Sequence, residues 1–390
     1  MTTVLLLQTT RTRDVADDAV LEVLARELAP ASVLAATTDP ERTSRMTDLP
    51  AVPANRAALL RTLTTVDALL LVGGRPLHAG AGAAAAAEAF TLPVLYALTA
   101  AFRVAGKRVA LLGVGADELT GRDALLARHV VSGSALTVLD SPASAGHLTA
   151  AGLPAPLRVG ADLAWLALQA PPRDRQPAEA GGDVWTSVDA SAVAAMGGLD
   201  AAARTLAEVV AAVSARAAGS GRLAVQAWHP GPSAGADLDA ASALVSLLTD
   251  SYGLPAAVTP PAASLAEQHD LLGRAGFAVA SQPHAVMTAA AAGVPLLACP
   301  ADAIAAGGAA RLDVPVLPAG PAIARGQLPR LVDEAVAGTG AVLAAVRQHV
   351  AGAGEALDLL RLLLSEGEGP IGSPSGTDPT LAPRPTGVMR

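Results

Sequence analysis

One cysteine in 390 residues, Cys299, excludes an intrachain disulfide and fits a reducing compartment. It closes an apolar stretch and reads as inert core. Aromatic residues are only 2% of the chain, so the core is built from closely approaching small side chains, not rings. Charged residues are 16%, well below the usual quarter. Lys107 is the single lysine among 27 basic residues, and the Ala/Arg/Pro bias reads as a coding bias. A net charge of −8, no basic cluster and few rings for base stacking argue against nucleic acid as a partner. No apolar run reaches the roughly 18 residues that a membrane span needs. The Ala-rich run at 83–87 stops at Glu88. The chain enters directly as a strand with no basic leader, so no signal peptide is expected and the cytoplasm is the expected location. Metal-ligand spacing, a phosphate loop and a nucleophile elbow are all missing, which leaves metal chemistry and nucleotide hydrolysis unsupported.

What is present is strand–helix alternation. Apolar strands are predicted at 4–8, 32–36, 68–72, 108–113, 135–139 and 157–159, with helices at 15–28, 55–63, 92–105, 122–131 and 141–151. Leu5, Leu6 and Leu7 show no polar alternation, as in strands covered on both faces. The stretch 171–184, polar, proline-rich and glycine-ended, reads as a linker. The pattern restarts with a helix at 200–217, strands at 223–228, 256–259, 277–280, 295–299 and 314–317, and helices at 238–249, 265–275 and 284–292. The expected organisation is an α/β chain with two Rossmann-like doubly wound domains, 1–170 and 185–340. A final helix at 341–366 would pack back on the first domain, and 367–390 would be a disordered tail. Two such domains facing each other across a cleft form the GT-B architecture, which alone names no reaction.

The most informative segment is 276–297. It reads as a buried strand, a turn holding Gln282-Pro283-His284-Ala285, an Ala-rich helix, then Gly293-Val294-Pro295 and a second buried strand. The carboxyl edge of an open α/β sheet is where ligands bind, and a helix N-terminus there suits a phosphate or carboxylate. The competing reading of His284 is a structural residue at a helix start.

Several segments, in order, resemble the polysaccharide pyruvyl transferase family, most closely its S-layer-anchoring branch. An acidic pair, Asp17-Asp18, follows the first strand. Gly73-Gly74-Arg75 stands where a glycine triplet is usual, and Gly113-Val114-Gly115 ends the next long strand. Asp140-Ser141 precedes a helix, and Gly160-Ala161-Asp162-Leu163-Ala164 follows it. Gln282-Pro283-His284-Ala285 and Gly293-Val294-Pro295 stand for the second-domain signature. The match runs through residues 4–318. The family's cationic positions are changed: its arginine before the histidine is Gln282, the one before Asp140 is Leu139, and Ala227-Trp228-His229 replaces another. An amide does not replace a bidentate cationic fork.

The resemblance implies transfer of a pyruvate ketal from phosphoenolpyruvate, as co-substrate, to a sugar of an envelope-polysaccharide precursor for S-layer anchoring. No separate cofactor is expected, and a homo-oligomer is compatible with it. His284 would be the catalytic acid. Gln282, Ala285, His229 and Arg75 would hold the donor. Asp17, Gly73, Gly74, Gly113, Gly115, Asp140 and Asp162 would hold the acceptor. Each has a structural counterpart: tight turns for the glycines, a first-turn carboxylate for Asp17, a helix cap for Asp140, a hinge brace for Asp162 and a turn for His229. His78, His129, His147, His269 and His349 read as solvated. Two rivals stand beside this reading. One is a catalytically silent paralogue that binds a glycan or a partner protein. The other is a nucleotide-sugar GT-B glycosyltransferase, for which a ribose-holding Glu in the helix after His284 would be expected; none occurs through Gly293.

Overall fold

The computed structural model describes residues 2–10, 15–79, 89–168, 183–216, 221–229, 234–300, 303–317 and 327–365. The first lobe carries strands β1 (Thr3–Leu7), β2 (Ser32–Thr37), β3 (Ala51–Pro53), β4 (Ala68–Val72), β5 (Arg108–Val114), β6 (Leu136–Leu139) and β7 (Arg158–Val159). They form one parallel sheet in the order β3-β2-β1-β4-β5-β6-β7. Helices α1 (Val15–Glu27), α2 (Pro40–Thr47), α3 (Arg56–Thr62), α4 (Leu92–Val104), α5 (Gly121–Ser132), α6 (Pro142–Ala150) and the short α7 (Ala164–Ala167) belong to this lobe. The second lobe carries β8 (Asp183–Val188), β9 (Leu223–Ala227), β10 (Ala256–Thr259), β11 (Ala275–Ala280) and β12 (Leu296–Ala298), in the parallel order β10-β9-β8-β11-β12. Its helices are α8 (Ala190–Ala195), α9 (Leu199–Ser214), α10 (Ala234–Tyr252), α11 (Leu265–Arg274), α12 (Pro283–Ala291) and α13 (Ala303–Arg311).

This is the doubly wound, GT-B-like architecture that the alternation predicts. Strand order reverses between β1 and β4 in the first sheet, and between β8 and β11 in the second. At such switch points the crossover helices leave to opposite faces and open a crevice beyond the strand ends. Those two crevices place the site.

The structure departs from the predicted elements in four places. β8, the centre of the second sheet, starts at Asp183 inside the stretch read as linker. Its Val-Trp-Thr-Ser-Val is a covered strand, but the polar and proline-rich residues before it hid the start. Residues 314–317 make only an isolated bridge, Val316 to Ala298. α2 and β3 lie in a polar segment without apolar periodicity. The final helix, α14 (Gln327–Ser365), begins earlier than 341. Pro329 sits in its first turn, where a missing N–H costs nothing, while Gly338 and Gly340 mask the helical pattern. Residues 171–182 of the expected linker and the expected tail at 367–390 lie outside the described residues.

α14 has 39 residues and so runs about 60 Å. Near its start Asp333 accepts from Arg216 Nε at 2.7 Å in the second lobe. Near its end the Leu363 carbonyl accepts from Arg108 Nη1 at 2.6 Å in the first lobe, and Arg361 pairs with Glu27. Between these ties it buries Val342, Val346, Ala353, Leu357 and Leu360. A fully buried Val or Leu contributes about 1.5–3 kcal/mol. One apolar cluster runs through both lobes, from Leu6 and Trp165 to Trp185, Met287 and Leu357. No helix among the described residues is long and apolar enough to cross a membrane.

The segment 160–168 is a strap between sheet and helix. A Cβ on Gly160 would stand 2.8 Å from Val138 Cγ1 and 3.0 Å from the Gly352 carbonyl oxygen. Gly113, at φ +61°, has the Ala161 carbonyl oxygen and Leu163 3.0–3.1 Å from where its Cβ would be. Trp165 stacks on His349 of α14 with ring centroids 5.5 Å apart and 10° between planes. His349 is therefore packed, against the expectation of a solvated ring; so is His78, whose ring nitrogens face the Ala79 and Phe90 carbonyls.

Two outcomes follow from this packing. Gly160→Ala should lower unfolding free energy by about 1–3 kcal/mol through overpacking, read in a urea titration. Burial, then the Arg311 charge, hold the His349 pKa below its ordinary 6.5, against weaker opposing pulls from an Arg311 backbone hydrogen bond and Asp162. The unfolded chain thus binds a proton that the native state refuses, and stability falls as pH drops from 6.5 to the lowered native value. His349→Phe, keeping a ring on Trp165, should flatten that part of the stability–pH curve.

Candidate functional site

At the second switch point β11 buries Phe277 and Val279, then delivers Ser281, Gln282, Pro283 and His284 to the carboxyl edge. Ser281 Oγ donates to the Ser187 carbonyl oxygen at 3.0 Å, and its N–H donates to Ser187 Oγ at 3.1 Å. These bonds lock the β8 and β11 ends together. Gln282 is the N-cap of α12, in extended conformation, and gives the first turn no side-chain bond. Pro283 follows it with φ preset for a helix. The Gln282 side chain is only 5% exposed, and neither its Oε1 nor its Nε2 has a hydrogen-bond partner. A buried amide left unsatisfied costs about 1–3 kcal/mol, so its retention points to a ligand group. Ala285 is fully buried beneath this turn.

His284 reaches across to the first lobe. Its Nε2 lies 3.8 Å from Asp162 Oδ2, an ion-pair separation longer than a hydrogen bond. The other Asp162 oxygen, Oδ1, accepts the Ala164 N–H at 2.9 Å. Burial alone would raise the Asp162 pKa; the His284 ring, the Ala164 N–H and Arg311 outweigh it and hold the carboxyl below its ordinary range. Next along this edge, Asp237 Oδ2 accepts the His229 N–H and faces its Nδ1, both at 3.0 Å. Asp189, at the end of β8, caps α8 through Oδ1.

The first-lobe edge uses several predicted ligand residues for itself. Arg75 donates Nε to Asp117 at 2.9 Å, Nη2 to the Ala116 carbonyl at 2.6 Å and Nη1 to Asp140 at 3.4 Å. It fastens the ends of β4, β5 and β6. Gly115 lies under this side chain: its Cβ would stand 2.7 Å from Arg75 Cγ. Asp140 accepts from Ser141 Oγ at 2.7 Å and Ser144 Oγ at 2.6 Å, and the cap of α6 is Ser141, one residue later than the predicted cap. Gly113 accommodates the strap. Gly73 and Gly74 both have positive φ, and nothing lies within 4 Å of a Cβ built on Gly73. Asp17 sits in the first turn of α1, and its carbonyl accepts Gln8 Nε2 at 2.7 Å.

The structure therefore brings His284, Gln282 and Ala285 together, with Asp162 opposite. It places Gly73, Gly74 and Asp17 around the end of β1. Arg75, Asp140, Gly113 and Gly115 serve the scaffold. The reading missed Gln8, Thr9 and Thr10, whose Oε1, Oγ1 and Oγ1 are buried without partners. The signal was a polar triplet directly after Leu5-Leu6-Leu7. It also missed Asp237 and Asp117, whose partners are 8 and 42 residues away. Burial pushes the Cys299 thiol up to about 11, so it stays protonated and inert at neutral pH. Among the described residues no group of three or more His, Cys, Asp or Glu could hold a metal ion.

No family model and no curated protein matches the chain. Solved structures do. UDP-GlcNAc 2-epimerase from Neisseria meningitidis, bound to UDP-GlcNAc, is 12% identical at a TM-score of 0.60, over 94% of this chain and 100% of that one. The UDP-GlcNAc 2-epimerase of Methanocaldococcus jannaschii is 11% identical at 0.58, over 94% and 100%. Acinetobacter baumannii MurG is 14% identical at 0.50, over 93% and 100%. At such identities the likeness is one of fold. It overturns the pyruvyl transferase resemblance, and with it phosphoenolpyruvate as co-substrate and the link to S-layer anchoring. Glycine turns at strand ends, a polar residue before an Ala-rich helix and Gly-Val-Pro before a strand are what a lobe of this kind needs at those places. Their order reflected the architecture, which this chain shares with UDP-GlcNAc 2-epimerases and MurG.

Proposed function

We propose that the cleft binds a nucleoside-diphosphate sugar and that the chain transfers its glycosyl group. The observation that carries this reading is the Gln282 amide, buried and unsatisfied at the N-terminus of α12, on a switch point facing the other lobe. The partial positive charge of a helix N-terminus suits a diphosphate without a cationic side chain. The fold's likeness to a protein bound to UDP-GlcNAc supports the same ligand class. Transfer is favoured over rearrangement of one bound sugar because unsatisfied polar groups occur at both switch points, which suits a two-substrate cleft. α12 has no carboxylate for a ribose; Asp189, whose Oδ1 caps α8, is the carboxylate at the same switch point.

In the transfer step the bond from the anomeric carbon to the diphosphate oxygen breaks, and a bond from that carbon to an acceptor oxygen forms. The diphosphate leaves with its electron pair onto the α12 N-terminus. The acceptor's proton passes to His284, and Asp162 stabilises the resulting imidazolium from the other lobe. The Asp162 carboxyl, held below its ordinary range, supplies the negative charge opposite that ring.

Calorimetric titration with UDP should show one site per chain, and Gln282→Ala should weaken it. With UDP-GlcNAc and a panel of sugar acceptors, UDP release should fall about 10²- to 10⁴-fold in His284→Ala. Asp162→Asn should lower turnover while leaving UDP affinity intact. A wild-type protein that binds no uridine nucleotide would defeat the reading. One that equilibrates UDP-GlcNAc with its C2 epimer and releases no UDP would replace transfer with epimerisation.

A further inference from the structure

A second imidazole stands behind the His284–Asp162 pair. Asp162 lies on the strap, two residues before the one-turn helix α7, and that turn orients its carboxylate. The Ala164 N–H donates to Asp162 Oδ1 at 2.9 Å, and the Trp165 N–H donates to the Asp162 carbonyl oxygen at 3.2 Å. With Oδ1 engaged by the turn, Oδ2 is the oxygen that faces His284 Nε2, 3.8 Å away. The separation exceeds a hydrogen bond, so it is set by where the turn stands and not by the pair itself.

Trp165 fixes the turn. It is 4% exposed, and its ring lies on the His349 ring of α14 in the offset parallel stack that aromatic rings prefer. α7 packs against α1 as well as α14. His349 is bound in turn to the second lobe, where its ring hydrogen-bonds the Arg311 backbone at the end of α13. α13 packs on α12, the helix that carries His284. The contacts therefore close a circuit. It runs from His284 through Asp162, Ala164 and Trp165 to His349, and returns through Arg311 and α13 to α12. It crosses between the lobes twice.

Among the described residues, the charges that act on the His349 ring are Arg311 and Asp162, with His284 beyond Asp162. Of the other elements packed on α14, α7, β6 and β12 carry no titratable residue. Arg108 of β5 is bonded to the Leu363 carbonyl oxygen, and α9 packs on the start of α14, where Arg216 meets Asp333. On α14 itself the positions three and four residues from His349 are Ala345, Val346, Gly352 and Ala353. Burial first, and then the Arg311 charge, keep the ring neutral at neutral pH. A neutral ring leaves the Asp162 charge to His284. A protonated one is a second imidazolium facing the same carboxylate, and like charges disfavour each other.

We infer that His349 is a positioning residue for the His284–Asp162 pair: through the Trp165 stack it sets the distance at which His284 meets Asp162, and a proton on its own ring competes with His284 for that carboxylate. The inference deepens the transfer reading and rests on it for the role of His284, while the coupling itself is measured without substrate.

The test is a histidine side-chain NMR titration of the full chain from alkaline to mildly acid pH, with the His284 signal assigned by its loss in His284→Ala. Asp162→Asn should lower the His284 midpoint, because the counter-charge is gone. His349→Ala, which takes the ring off Trp165, should lower it by a smaller amount. The double substitution should lower it no further than Asp162→Asn alone, because the effect of residue 349 runs through Asp162. His349→Phe keeps a ring on Trp165 and should restore the midpoint. It should also abolish a second, more acidic step that the wild-type His284 signal shows as His349 takes its proton. A midpoint equal in wild type and His349→Ala, additive shifts in the double substitution, or a wild-type His284 signal without the acidic step would each overturn the inference. If His349→Ala does not fold, the acidic step decides: its loss in His349→Phe supports the coupling, and its survival there refutes it. A chain that binds no uridine nucleotide would defeat the transfer reading and leave these titrations as they are.

Discussion

The close approach of Gly160 to Gly352 holds the cleft in register. Two backbones meet there with no side chain between them, and the strap that follows is pressed against Gly113 on its other side. Held at both faces, the strap cannot shift without opening the sheet or lifting α14. Asp162 is therefore fixed with respect to β5 and to the long helix at once. Because α14 is also tied to the second lobe through Arg216 and Asp333, the same contact sets where Asp162 stands relative to His284. A core of small residues makes this possible. Larger side chains at 160, 161, 352 and 356 would hold helix and sheet apart.

The two crevices divide the chemistry by charge. The second-lobe edge offers the end of a helix dipole, an unsatisfied amide and two imidazoles, each facing a carboxylate. Among the described residues, the first-lobe edge offers hydroxyls, an amide oxygen and a glycine opening, with Arg42 and Arg75 each paired to carboxylates. A ligand with a diphosphate at one end and a sugar at the other is polarised in the same sense. The loss of cationic side chains from the second edge, which made a phosphoenolpyruvate grip hard to reconstruct, creates no difficulty for a group held by backbone amides.

Most of the element plan was legible in the sequence. β1, β4 and β5 are apolar without alternation, and their glycine ends mark the carboxyl edge. β11 and α12 are unmistakable around Gln282-Pro283-His284. β8 was missed because a central strand can be short, and because Thr186 and Ser187 interrupt the apolar run; Ser187 is polar since it must bind Ser281 of the neighbouring strand. The family resemblance failed for a physical reason as well. Glycines at strand ends and alanines in crossover helices are demanded by packing, so their order reports on architecture before it reports on a reaction.

The sequence by itself determined the α/β class, two doubly wound units, the absence of disulfide cross-links and the place of His284 at a strand–helix junction, because these depend on local periodicity and on residue type. Only the tertiary structure decided which polar groups are spent and which remain available. Arg75 pairs with Asp117 and with Asp140, 42 and 65 residues away; His284 and Asp162 meet from different lobes; Gln8 Oε1, Thr9 Oγ1 and the Gln282 amide stay unsatisfied. Whether a charge is matched depends on where its partner lies in space, and sequence spacing does not carry that information.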